Sequence, residues 1–264
     1  MTSLNIDKIL GKVRNRFHLI GIELEGGWKK LPEGVTLASD GSVNIRPDLP
    51  QPPRGRDFIN PNDYTNAMLA YEKKARQSKL HIGELQSEPL EPVKLSAWMK
   101  HNYPSKVNES CGLHVHMSFR SAAHYGRLMI PEYQYTVFDY VARWAEKEKL
   151  GKDHPIWKRL SGKNEFCRNE FHADMQVLQN KKEYSRSDGS AGRYTGINYP
   201  HGLHGTIECR LLPMMETAEQ GIRAVQHVLD ITNACLVMTA KREEQLKADI
   251  PGDEVLVERR SINV

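Results

Sequence analysis

The chain has 264 residues, of which 39% are hydrophobic and 27% charged, a composition typical of a globular protein. This length favours one domain with long loops, with two domains as the alternative. The hydrophobic runs are shorter than the roughly 20 residues that span a bilayer, and the N-terminal segment MTSLNIDKILGKVRNRF is too polar for a signal peptide.

Charge and cysteine content narrow the function classes further. The net charge of +4 arises from 37 basic and 33 acidic residues spread along the chain, which gives little support to nucleic-acid binding. The cysteines lie far apart without a CxxC pair, which argues against a zinc ribbon. A chain of this size needs no disulfide staples, so a reducing, cytoplasmic location is expected. The four are Cys111, Cys167, Cys209 and Cys235.

Alternating patterns, turn residues and prolines divide the first half of the chain. Asp40-Gly41 suits a tight hairpin because both residue types accept positive φ angles, and the prolines that follow cannot sustain a sheet ladder. In chain order we predict a strand at 17–25, a strand pair at 35–45, a proline-rich surface loop at about 47–61, a helix at 62–79, a strand at 82–88 and a short helix through Trp98.

The second half contains the longest helical patterns. Val137, Val141 and Trp144 recur at helical spacing, as do Val225 and Leu229 later in the chain. In chain order we predict a strand at 111–119, a helix at about 131–149, a helix at 165–180, a glycine- and serine-rich loop at 185–192, strands at 194–199 and 206–212, a helix from 216 to about 248, and a flexible C-terminal tail from about 250.

This order lacks the steady alternation of strands and helices that a parallel sheet requires. It predicts an α+β protein with a largely antiparallel sheet and helices packed on one face. No internal repeat of fixed period is visible in the sequence. We therefore treat residues 1–264 as a single domain.

Several predicted strands place polar side chains on one face and apolar side chains on the other, because successive side chains of a strand alternate. If these strands are neighbours, their polar faces form one acid-rich surface with an apolar core behind it. The polar residues are Glu23 and Glu25 in GIELE, Glu84, Gln86 and Glu88 in GELQSE, Gly112, His114, His116 and Ser118 in CGLHVHMSF, and Glu208 and Arg210 in TIECRLL.

Clustered carboxylates repel one another and raise one another's pKa, so a positive group is expected among them. Mg²⁺ and Mn²⁺ accept carboxylate oxygens and leave coordination positions for phosphate oxygens, whereas zinc favours more nitrogen or sulfur. Residues Glu23, Glu25, Glu84 and Glu208 with His114 therefore suit divalent cations that hold a nucleotide triphosphate. Taken singly, each motif also fits a solvated sheet face, a hydrogen-bonded histidine or a cross-strand ion pair.

The ordered set GIELE, DGS, GELQSEPL, CGLHVHMSF, RYTGINY and TIECRLLPM resembles the putative amidoligase family. This family is related to glutamate–cysteine ligase and glutamine synthetase in the carboxylate–amine ligase superfamily. The resemblance implies a curved antiparallel sheet, with helices on its convex face, whose concave face binds Mg²⁺ ions and ATP. It also implies that one substrate's acid is phosphorylated and that an amine then attacks the acyl phosphate to give an amide.

The resemblance assigns roles to individual residues. Glu23 and Glu25 match paired strand acids that divide between neighbouring metal sites, and His114 matches the histidine of a GxHxxxS pattern that shares a metal with Glu23 and Glu208. Asp40 and Glu84 match further acids of the site that faces Glu25. The resemblance implies that Glu208 and Arg210 are catalytic residues and that Arg210 contacts phosphate. The implied metal ligands are Glu23, Glu25, Asp40, Glu84, His114 and Glu208. Further candidates for contacts to the nucleotide or substrate are Arg193, Asn198 and Arg168.

The chain departs from the better-known ligases in several respects. It is shorter, a proline-rich insertion fills the interval between Asp40 and Glu84, and no amino-acid-binding signature is recognisable. The role of His116 stays open between substrate contact and support for His114. The loop at 185–192 is either a lid that excludes water or an exposed linker.

The alternatives to the ligase are a phosphotransferase to a guanidino or other nitrogen group on the same architecture, a metal-dependent hydrolase, a binding protein without catalysis, and a nucleic-acid-binding protein supported only by the mild basicity. The ligase would take small-molecule, peptide or macromolecular acids and amines. Whether the chain forms a homo-oligomer stays open.

Overall fold

Five antiparallel strands form one sheet in the part of the chain that the structure, a computed structural model, describes: residues 6–45, 60–77, 80–164, 167–168, 194–199 and 206–249. The spatial order is β2–β1–β3–β5–β4, with β3 at the centre. The strands are β1 (Phe17–Trp28), β2 (His81–Gln86), β3 (Gly112–Phe119), β4 (Ile197–Asn198) and β5 (Ile207–Pro213). The predicted α+β class with an antiparallel sheet is confirmed.

Helices connect and cover these strands. Ser121 caps the helix that follows β3 by accepting a hydrogen bond from the backbone N–H of Ala123, and Pro131 begins the next helix, where its missing N–H costs nothing. None of the described helices is both long and apolar enough to cross a membrane. The helices are α1 (Ile6–Ile9), α2 (Pro61–Gln77), α3 (Leu95–Asn102) after a 3₁₀ turn (Pro92–Lys94), α4 (Ala122–Leu128), α5 (Pro131–Lys147), α6 (Pro155–Leu160) and α7 (Ala218–Asp249).

The core lies between the apolar face of the sheet and α7. Thr232 of α7 donates a hydrogen bond to the backbone oxygen of Val228 and contacts the sulfur of Met117 on β3 at 3.6 Å. The Tyr133 hydroxyl lies 3.0 Å from the Thr232 hydroxyl, which ties α5 to the same helix. The sheet contributes fully buried side chains from three strands: Ile20, Ile22, Leu24, Leu113, Val115, Met117, Cys209 and Leu211.

Strand β5 contains one extra residue relative to β3. Val115 pairs with Cys209 and Leu113 pairs with Leu212, so two steps along β3 match three steps along β5. An extra residue of this kind re-aims side chains at the bulge, and here it lies next to Arg210. Strict alternation along 206–212, which the sequence pattern predicts, is therefore interrupted within the strand.

The prediction that the two halves of segment 35–45 pair with each other is wrong. The backbone does turn at Asp40, whose carbonyl oxygen accepts a hydrogen bond from the N–H of Val43. The arm before the turn, however, pairs through Ala38 with Glu84 on the outer edge of β2, by two backbone hydrogen bonds of 2.8 and 3.0 Å. The segment satisfies its backbone on a neighbouring strand instead of on its own second half.

Other predictions differ in part or lie outside the described residues. Helices α1, α4 and α6 were not predicted. In the predicted helix at 165–180, Cys167 and Arg168 form bridges to Asn164 and Thr195 instead; the rest of that segment is not described. The proline-rich loop up to residue 59, the loop at 185–192 and the tail from 250 also lie outside the described residues.

Candidate metal centre

Strand pairing brings the predicted polar residues onto one face of the sheet. Glu23 on β1 lies opposite His114 on β3, and Glu25 lies opposite Glu84 on β2. On the other side of β3, His116 lies opposite Glu208. Directly paired residues point to the same face, so the acids and the two histidines converge above the sheet, opposite the face that packs against α7.

The converging side chains form two groups that could each hold a metal ion. One consists of Glu23, His114 and Glu208, and the other of Glu25, Glu84 and His114; in each group one ligand atom per residue lies within 4.8 Å of the others. His114 belongs to both groups and is only 2% exposed. We call these five residues the carboxylate cluster.

Glu23 lies between the two histidines of β3. Its carboxylate accepts a hydrogen bond at 2.8 Å from Nδ1 of His114 and one at 3.0 Å from Nε2 of His116. Burial by itself raises the pKa of Glu23, but the hydrogen bonds and charges of the two histidines hold this pKa well below its usual range. Glu23 is therefore ionised at neutral pH and available as a ligand.

Glu208 on β5 is buried and held by partners on both sides. Asn198 of β4 donates from Nδ2 to one carboxylate oxygen at 2.8 Å, and a guanidinium nitrogen of Arg210 donates to the other. Burial raises the pKa of Glu208, whereas the charges of Arg210 and His116 lower it, and the net shift is downward. Burial lowers the pKa of Arg210, but the charge of Glu208 outweighs this effect and raises it, so both Glu208 and Arg210 stay charged.

Glu25 depends on a glycine for its position. The backbone N–H of Gly112 donates to its carboxylate, and Nε2 of His114 lies 3.7 Å from the other carboxylate oxygen. A Cβ atom at Gly112 would lie 2.5 Å from Nε2 of His114 and 3.2 Å from Glu25. Only glycine leaves room at this position for both side chains.

Glu84 shows a pKa shift opposite to those of Glu23 and Glu208. Burial and the negative charge of Glu23 raise its pKa to about 7, against a lowering by the hydrogen bond that Gln86 donates to it. A carboxyl with a raised pKa beside other acids marks a place where a cation would stabilise the ionised form.

The donor set fits hard divalent cations. Four carboxylates and one imidazole match the ligands of Mg²⁺ or Mn²⁺ better than those of a closed zinc site. A neutral imidazole offers one lone pair, so His114 can ligate in one group only while its other nitrogen donates a hydrogen bond. Its Nδ1 faces Glu23 and Glu208, and its Nε2 faces Glu25.

The remaining predicted site residues lie at different places. Asp40 is not in either group, and its carboxylate accepts a hydrogen bond from the N–H of Ser42 at 2.7 Å. Asn198 contacts Glu208 and thereby supports the cluster. Arg168 is exposed beside the short strand β4 and pairs through its backbone with Thr195. Arg193 lies outside the described residues.

Two features of the site were not predicted from the sequence. The need for glycine at position 112 is one: the pattern places Gly112 on the same strand face as His114, but it does not show that a side chain there would collide with His114 and Glu25. Arg159 of α6 is the other: it is 2% exposed, donates to the backbone oxygen of Arg210 at 3.0 Å, and has an Nε without a hydrogen-bond partner among the described residues. Burial lowers the pKa of Arg159, with Cys167 and Glu25 acting against this shift.

Comparisons with protein-family models, with curated proteins and with solved structures gave no match.

Proposed function

We propose that this protein is an ATP-dependent carboxylate–amine ligase whose carboxylate cluster holds Mg²⁺ or Mn²⁺, on a curved sheet like that of glutamine synthetase and guanidino kinases. The main support is the cluster itself, in which two groups of metal-binding side chains share His114 and lie beside Arg210. Ionisable groups with shifted pKa values gathered in one place are typical of functional sites. The buried free thiols of all four cysteines also fit the proposed cytoplasmic location.

The reaction would join an acid to an amine in two steps. A carboxylate oxygen of the first substrate attacks the γ-phosphorus of ATP. ADP leaves, and the substrate becomes an acyl phosphate. The amine nitrogen then attacks the acyl carbon; inorganic phosphate departs, and the nitrogen loses a proton to solvent. Divalent cations supply charge neutralisation at the phosphate oxygens in such reactions.

The residues of the chain would position and balance the charges of this reaction. Glu23 and Glu208 would hold one cation together with Nδ1 of His114, whose ring proton would then reside on Nε2 and face Glu25. Glu25 and Glu84 would hold the other cation. Asn198 and Arg210 keep the Glu208 carboxylate oriented and ionised. The planar guanidinium of Arg210 is suited to phosphate, because its parallel N–H groups match two oxygens.

Nucleotide binding tests the proposal without knowledge of the substrates. Calorimetry with a non-hydrolysable ATP analogue and Mg²⁺ should give saturable binding to the wild type. Glu208→Gln, which removes one ligand charge, should abolish this binding. Glu109→Gln removes an exposed carboxylate from the turn that precedes β3 and should have no effect on nucleotide binding. Equal binding by the two variants would remove Glu208 from the proposed site.

Turnover can be sought with a general nucleophile. An acyl phosphate reacts with hydroxylamine to form a hydroxamate, so a panel of carboxylates with ATP, Mg²⁺ and hydroxylamine should reveal the acid that the enzyme activates. ADP and inorganic phosphate should then appear together and depend on that acid. A phosphorylated nitrogen compound formed without inorganic phosphate would instead identify a phosphotransferase.

A further inference from the structure

A pocket lies on the helical side of the molecule. Its volume is about 200 Å³, and its walls come from the segment before β1, from α4 and from the C-terminal half of α7. The residues that line it are Arg16, His124, Arg127, Leu236, Val237, Ala240, Lys241 and Glu244.

This pocket is separate from the carboxylate cluster. Thr232 of α7 contacts Met117, and Met117 points to the opposite face of β3 from His116. Leu236 lies one helical turn after Thr232, so the pocket begins on the α7 side of the sheet. A ligand here would have no contact with Glu23 or Glu208 across the sheet.

Positive charge gathers at the pocket from three parts of the chain. Arg16, Arg127 and Lys241 line it, and Glu244 is the one acid among the lining residues that the structure describes. Burial lowers the pKa of His124, and the charges of Arg127 and Arg16 lower it further. Among the described residues, the lining of the pocket therefore has an excess of positive charge.

The pocket also has an apolar part. Leu236, Val237 and Ala240 present aliphatic side chains from one stretch of α7. The backbone N–H of Arg16 donates to Asn233 at 3.0 Å, which fixes the segment before β1 against α7.

We propose that this pocket binds a small organic anion, with its carboxylate or phosphate among Arg16, Arg127 and Lys241 and its hydrocarbon part against Leu236, Val237 and Ala240. The volume is below the roughly 300–1,000 Å³ of pockets for larger ligands, which limits the occupant to a small molecule. This site is independent of the proposed ligase reaction, since it uses none of the residues of the carboxylate cluster.

Phenyl phosphate is a suitable probe because it combines both parts. Calorimetry in the presence of EDTA, which keeps the carboxylate cluster from recruiting phosphate through a metal, should show one saturable site per chain. Inorganic phosphate and phenol, each of which has one of the two parts, should bind more weakly.

Charge-matched variants locate the site. Arg16→Gln with Lys241→Gln should weaken phenyl phosphate binding by about a hundredfold, roughly tenfold for each charged hydrogen bond lost. Lys100→Gln with Lys147→Gln removes the same net charge at exposed positions and should leave binding unchanged. Thermal unfolding followed by circular dichroism should confirm that both double variants are folded.

Three results would overturn the proposal. One is the absence of saturable phenyl phosphate binding to the wild type. Another is an equal loss of phenyl phosphate binding in the two double variants, or a loss of binding in Glu208→Gln. Either outcome would place the bound anion outside the pocket. The third is retention of duplex DNA with a steep salt dependence while phenyl phosphate fails to bind, which would make the surface a polyanion site.

Discussion

His114 and His116 are two residues apart on β3 and point to the same face, yet they contact the carboxylates differently. His114 belongs to both candidate metal groups, whereas His116 belongs to neither and lies between Glu23 and Thr206. The geometry therefore makes His114 a ligand candidate and His116 a residue that orients Glu23. Burial lowers the pKa of His116, but its hydrogen bond to Glu23 and the charge of Glu208 raise it, and the net shift is upward.

This difference predicts unequal effects of two matched substitutions. His116→Ala should weaken Mn²⁺ binding by about tenfold, as is typical when a partner that orients a ligand is lost. His114→Ala should weaken it more, because a direct ligand is removed. Electron paramagnetic resonance of free Mn²⁺ during titration measures both affinities, and a larger effect for His116→Ala would reverse the assignment.

Gly112 gives a second prediction at the scale of one residue. Gly112→Ala should destabilise the protein by about 1–3 kcal/mol, because its Cβ would overlap with His114 in a well-packed region. The displaced imidazole should also weaken metal binding. The free energy of unfolding in urea and the Mn²⁺ titration measure the two effects.

Gly126 in α4 is the matched control for that substitution. A Cβ there would have no heavy atom within 4 Å, apart from the neighbouring residues and the helix backbone. Gly126→Ala should therefore stabilise the helix, by up to about 1 kcal/mol. If Gly112→Ala were equally harmless, Gly112 would not be required for the arrangement of His114 and Glu25.

At the scale of whole elements, the alternation of apolar and polar residues predicts much of what the structure shows. In β1 and β3, Ile22, Leu24 and Val115 are buried against the helices, while Glu23 and His114 meet on the other face. Alternation works here because each strand has one face in the apolar core. Once the pairing of β1 with β3 is known, this alternation is enough to place Glu23 opposite His114.

The pattern fails where strand partners or backbone irregularities decide the result. Ala38 pairs with Glu84 because the outer edge of β2 is available, and no local signal in 35–45 identifies that edge. The extra residue beside Arg210 is equally hidden, because a bulge depends on the register with β3. Both features require the pairing of distant segments, which a pattern within one segment does not specify.

The core of the sheet gives a prediction for β1. Leu24 is fully buried and paired between Leu85 and Leu113, so Leu24→Ala should cost about 2–5 kcal/mol of unfolding free energy. Leu69→Ala, at a side chain that is 60% exposed on α2, should change stability by at most about 0.5 kcal/mol. Urea unfolding compares them, and similar losses would contradict the assigned core face.

At the scale of the whole molecule, metal binding should stabilise the fold. The carboxylate cluster concentrates negative charge from β1, β2 and β5 at one place, and a ligand that binds only the folded chain raises its stability. Mg²⁺ at about 100 times its dissociation constant should add about 2.7 kcal/mol, visible as a higher melting temperature. Glu208→Gln should lose most of this increase, whereas Glu109→Gln should keep it.

The most direct measurement of the central claim is a crystal structure with Mn²⁺ and a non-hydrolysable ATP analogue, with the ions located by anomalous scattering. We expect one Mn²⁺ within bonding distance of Glu23 and Glu208, a second ion at Glu25 and Glu84, and phosphate oxygens bound to both ions. Anomalous peaks only at other positions, or nucleotide bound away from the carboxylate cluster, would contradict it.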